Sequence, residues 1–165
     1  MKWLVLAALA GCTSDVDLGG MYQVDSYVSS MPCGTDEPLA SPPAYVKWSK
    51  GSFFGNDFWG FASCTDAAGQ DCSGGPSLFA LSLTEPTDTG WRGEEYTSSN
   101  GGDTNCELGY DIGSATLTGA KLVYETTQYL DTITTPPDQC TTDAAKQMKD
   151  TLACMAHERM EATRL

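Results

Sequence analysis

Cysteine is the residue type with the most chemistry to offer in this chain. Seven occur in 165 residues: Cys12, Cys33, Cys64, Cys72, Cys106, Cys140 and Cys154. No Cys-x-x-Cys pair is present and the chain holds a single histidine, His157. A zinc site of the usual Cys/His spacing is therefore a poor reading. Six of the seven are spread through the body of the chain, and an even set in an exported protein points to three disulfides. Fifteen pairings are open to six cysteines. Cys64 and Cys72 bracket the polar, turn-forming stretch 65–71, so a bridge across one hairpin is the expected local pair. Cys12 stands apart, at the end of an apolar run.

That run begins with one positive residue, Lys2, and continues as eight apolar residues from Trp3 to Ala10. Eight residues of helix span roughly 12 Å, too little for a hydrocarbon core of about 30 Å. A charged start, a short apolar run and small residues at its end predict a secretory signal that is removed.

The ending Leu9-Ala10-Gly11-Cys12 resembles the lipobox of bacterial lipoproteins. The resemblance covers the first dozen residues and implies cleavage before Cys12, a diacylglycerol thioether on its sulfur and often an acylated new amine. Residues 1–11 are then the signal and Cys12 is the lipidation site. Each buried methylene contributes about 0.8 kcal/mol, so two or more chains give a lasting membrane anchor. In the sorting system of that family an aspartate after the cysteine favours the inner membrane, so Thr13 implies the outer one. Residues 12–20 are expected to form a lipidated tether of mostly polar residues. Its eight residues after Cys12 reach at most about 28 Å.

Without residues 1–11 the chain has 154 residues, eight basic and 22 acidic, for a formal charge of −14. Such a charge excludes a basic face for phosphate contacts, and no nucleic-acid partner is expected. It also opposes close attachment to anionic lipid, which leaves the anchor to hold the protein. The absence of a second apolar run or a repeat predicts one domain over residues 21–165.

The body of that domain reads as mainly β. Residues 21–30 (MYQVDSYVSS) and 44–49 (AYVKWS) are rich in aromatic and β-branched side chains. In 52–61, Gly55-Asn56-Asp57 supplies a turn between aromatic flanks and predicts a hairpin. Short strands are expected at 77–83 and 89–97. Residues 106–112 alternate Cys106, Leu108, Tyr110 and Ile112 against Glu107, Gly109 and Asp111, the period of a half-buried strand. A hairpin follows around Gly119-Ala120. The expected fold is an antiparallel meander forming a barrel or sandwich. The start Gly20-Met21-Tyr22 resembles the Gly-x-Trp opening of lipocalins, with tyrosine in the tryptophan position.

After Pro136-Pro137 the period changes. Ala144, Ala145, Met148, Leu152 and Met155 share one face of a helical wheel, predicting one C-terminal α-helix over about 141–160, packed on the sheet and capped by Thr141 or Thr142. In such a helix Cys140 and Cys154 stand roughly 21 Å apart, whereas a disulfide needs α-carbons within about 7 Å. They are expected to pair elsewhere, and if Cys64 pairs with Cys72, Cys33 and Cys106 remain to take them.

No catalytic constellation stands out. His157-Glu158 lacks the second histidine of a zinc-protease helix. Glu94-Glu95 and Glu158 with Glu161 read as solvated carboxylates. Asp103, Asn105 and Glu107 supply too few ligands for a calcium loop. No cofactor or metal is expected and the chain is not read as an enzyme. Three roles remain: a lipid-anchored domain that binds another envelope protein or has a structural part; a lipocalin-like binder of a small apolar ligand, with Trp48, Phe58 and Trp59 lining the cavity; and a hydrolase using scattered carboxylates.

Overall fold

The computed structural model describes residues 15–75, 81–101 and 104–165. The lipobox with Cys12 and Thr13, most of the strand expected at 77–83, and Asp103 lie outside the described residues. The remainder is an antiparallel β domain. Its strands are β1 Gly20–Ser30, β2 Glu37–Pro38, β3 Tyr45–Phe53, β4 Asn56–Cys64, β5 Cys72–Gly74, β6 Glu85–Thr87, β7 Gly90–Asn100, β8 Asn105–Thr118, β9 Lys121–Thr134 and β10 Cys154–Arg164. One α-helix, α1 Thr142–Met148, lies between β9 and β10.

The strands form one sheet in the order β5-β4-β3-β1-β10-β9-β8-β7-β6, with β2 added on β1. Neighbours in sequence are mostly neighbours in space, as a meander requires. The exception is β10, the last strand, which enters between β1 and β9. The sheet curls until its ends meet. Trp59 of β4 and Leu83, just ahead of β6, exchange both backbone hydrogen bonds, at 3.0 and 3.3 Å. Among the described residues that single bridge is the seam, so the sheet curls toward a barrel without closing as one.

Strand alternation sorts the side chains. Ala115 and Leu117 of β8 face inward with Leu122 of β9 and Met160 and Ala162 of β10. They meet Tyr22, Val46, Trp48, Trp59, Leu83 and Trp91 from both ends of the sheet. Rings take a large share of this interior, with the centroids of Trp59 and Trp91 6.2 Å apart. On the opposite face Cys106, Leu108 and Tyr110 of β8 are covered by Ala145 of α1 and by Leu152. The alternation read from 106–112 is therefore a buried stripe beneath the helix.

The three disulfides join Cys33 to Cys154, Cys64 to Cys72 and Cys106 to Cys140. Cys140 and Cys154 do reach different parts of the β domain, but the helical reason for it is incorrect. The helix expected over 141–160 ends at Met148, after seven residues, and Cys154–Arg164 is a strand. Its sequence, CMAHERMEATR, holds good helix formers, yet hydrogen bonding to β1 and β9 on both sides overrides that preference. Thr141 does cap α1, its hydroxyl accepting the Ala144 N–H at 3.2 Å. A helix this short is not stable alone; packing on β7 and β8 and the Cys106–Cys140 bridge hold it.

The tether is also shorter than expected. Leu18 is completely buried, the Tyr22 hydroxyl donates to its carbonyl at 2.8 Å, and the Trp91 indole N–H donates to the Val16 carbonyl at 2.6 Å. Residues 16–19 are thus docked on the end of the domain rather than strung out from it.

Candidate ligand pocket inside the curled sheet

Two recesses adjoin on the inner face. The larger, about 220 Å³, is lined by Asp111 of β8, Tyr124, Thr126 and Gln128 of β9, and Ala156 and Glu158 of β10. The smaller, about 150 Å³, is lined by Trp48, Trp59, Phe61, Leu83 and Tyr124. They share Tyr124 and Leu81, so one end of the hollow is acidic and the other aromatic. Each is below the roughly 300–1,000 Å³ of ordinary small-molecule sites. Phe58, expected on the wall beside Trp48 and Trp59, lies on the other face of β4, where its ring packs against Gly51 of β3. Period two on a strand makes that separation unavoidable.

Three buried polar atoms have no hydrogen-bond partner among the described residues, and all belong to the walls of these recesses. They are the indole nitrogens of Trp48 and Trp59 and one carboxylate oxygen of Asp111. Unsatisfied buried groups are uncommon in native folds and call for an explanation.

The acidic end is electrostatically unusual. Glu95 of β7 stands directly opposite Asp111. Burial, followed by repulsion from Asp111, pushes the Glu95 carboxyl above its ordinary value. Burial does the same for Asp111, opposed by a hydrogen bond with Gln128. The Tyr27 hydroxyl donates to Glu158 at 2.8 Å. Burial, then the Glu158 charge, pushes Tyr124 up to about 12. Glu95 and Glu158, read from sequence as solvated carboxylates, are therefore inward-facing groups. The signal that could have found Glu158 is alternation with Met160 and Ala162, which the helical reading obscured.

No family model, curated protein or solved structure matches this chain.

The remaining candidates can be placed directly. His157 sits on β10, not on a helix, and its Nδ1 lies 3.0 Å from an Asp36 oxygen. The same oxygen accepts from the Ser30 hydroxyl at 3.1 Å. The His157 contact holds the Asp36 carboxyl below the ordinary carboxylate range. Serine, histidine and aspartate thus meet, but the carboxylate stands between the other two. A nucleophilic serine needs the imidazole in that middle place to take its proton. Glu94 is bound by Arg92 at 2.6 Å and by the Tyr96 hydroxyl at 3.0 Å. Tyr96, Tyr110 and Tyr129 stack across three strands, at centroid spacings of 4.9 and 5.6 Å. Lys146 and Lys149, flanking α1's last turn, lie over two of these rings at 6.0 and 5.7 Å. That ladder is a seat for the helix.

Proposed function

We propose that this chain is a lipid-anchored protein of the bacterial envelope, outer membrane rather than inner, with a non-catalytic structural or binding role toward another envelope component. The observation that carries the reading is the cysteine pairing. All six cysteines of the β domain pair with one another, which leaves Cys12 outside the disulfide framework at the end of its lipobox. Three disulfides fit an oxidising compartment, and inner recesses each smaller than an ordinary small-molecule site support a scaffold over a carrier. The test is fractionation of the producing bacterium. The parent chain is expected in the membrane pellet and Cys12→Ser in the soluble fraction; equal solubility of the two would refute the anchor.

A second reading, a binder of one small ligand, is favoured by the three unpartnered wall atoms. The hollow fits an amphipathic molecule better than the purely apolar one a lipocalin-like pocket implies. An aromatic amine matches it, its ring face accepting the indole N–H groups of Trp48 and Trp59 and its cationic end toward Asp111 and Glu158. Titrating the delipidated domain with tryptamine while following protein NMR shifts tests this; unmoved inner-face resonances at millimolar ligand would retire it.

A further inference from the structure

The tip of the β3–β4 hairpin carries two phenylalanines that bury little. Phe53 is 49% exposed and Phe54 92%, and their rings meet edge to face at 4.3 Å. Phe54 also occupies a backbone position that disfavours it. With φ +47 for Phe54 and φ +82 for Gly55, the tip has the two left-handed central residues of a type I′ turn, where Asn-Gly is preferred. A bulky side chain in that region is strained, and burial within this chain does little to offset it.

The position of the tip supplies an occupant. The described chain begins at Asp15, which borders a surface recess together with Lys50, Gly55, Asn56 and Asp57 of this hairpin. From there the chain is committed, since Val16 and Leu18 are docked against Trp91 and Tyr22. Only three residue steps separate Asp15 from Cys12, at most about 11 Å of extended chain. On the lipid-anchor reading, on which this inference rests, the acyl chains leave the protein beside the hairpin tip.

We infer that Phe53 and Phe54 enter the interfacial layer of the membrane that holds Cys12, as a second, non-covalent contact that orients the domain. Two rings are far too little for a stable protein interface, which takes about 1,000 Å². They are adequate for an interfacial foothold once a lipid keeps them there. The predicted orientation puts the β3–β4 tip and the β8–β9 turn toward the lipid, and α1 with the Cys33–Cys154 bridge away from it.

The experiment uses the lipidated protein in phosphatidylcholine vesicles, with fluorinated phenylalanine incorporated and Phe53 and Phe54 assigned by single Leu replacements. Intact mass first establishes the lipid on Cys12. Fluorine signals of Phe53 and Phe54 are expected to lose at least threefold intensity to a nitroxide placed high on the lipid acyl chain. They should barely respond to a water-soluble relaxation agent, and Phe61, five residue pairs farther along the hairpin, should lose less intensity to the nitroxide than either. A lipidated protein whose Phe54 is broadened by the aqueous agent overturns the insertion and leaves the anchor standing. Protection of both rings from both agents, as in tip-to-tip pairing of two copies, overturns it as well. An unlipidated Cys12 fails the anchor and takes this inference with it.

Discussion

Glu95 and Asp111 stand opposite each other across β7 and β8 on the concave face, and burial holds both carboxyls above their ordinary range. A raised acid pKa means that the fold disfavours the ionised form. Stability is therefore lost as pH rises from the unfolded value, about 4, through the folded one.

Asp111→Asn removes that buried charge. At pH 7 the variant is expected to melt a few degrees above the parent, at about 2–4 °C per kcal/mol for a chain of this size. The advantage should close below about pH 4, where Asp111 is protonated in both states. Calorimetry of both proteins across that range checks this; a variant less stable than the parent at pH 7 would mean that the ionised group has a favourable partner.

The three bridges differ in the loops they close, with sequence separations of 121, 34 and 8 residues for Cys33–Cys154, Cys106–Cys140 and Cys64–Cys72. Loop-closure entropy then ranks their removal as paired alanines at roughly 5, 4 and 2.5 kcal/mol. Denaturant unfolding of the three double variants should reproduce that order. Loss of Cys106–Cys140 should also raise amide exchange through α1, because a seven-residue helix has little stability of its own.

Gly93 of β7 lies where the sheet edges meet, and a Cβ there would collide with the backbone of Ser82 and Leu83. Backbone cannot rotate aside as a side-chain end can. Gly93→Ala is expected to cost about 1–3 kcal/mol and to expose the Trp59–Leu83 bridge. Faster exchange of the Trp59 and Leu83 amides, with β9 and β10 unchanged, is the measurable sign.

These features divide by how far the sequence reveals them. Strands β1, β3, β4, β7, β8 and β9 were legible because turns and period-two alternation agree locally, as at Cys106–Ile112. The Cys64–Cys72 bridge was legible because both cysteines flank one hairpin. Strand β10 was not, since Met148, Leu152 and Met155 keep a helical period into a segment whose strand state is imposed by β1 and β9. Reading that element as a helix hides the inward aim of Glu158, although His157 faces outward on the strand as well. Glu95 and Asp111 were hidden for another reason: their opposition is a matter of β7–β8 register, which no single strand contains.

Phe54→Asn should stabilise the soluble domain by about 1 kcal/mol, because asparagine tolerates the left-handed turn position. Thermal unfolding of the unlipidated Cys12→Ser background measures it. A destabilised variant would mean that the exposed ring supports the hairpin through Phe53.

Whether Cys12 carries lipid is read from the intact mass of the protein taken from membranes of its producing bacterium. The expected mass is that of a chain beginning at Cys12, with three disulfides among the other six cysteines and an added diacylglyceryl group, with or without a further acyl chain. A chain that still begins at Met1, or one whose Cys12 carries a free thiol, would contradict it.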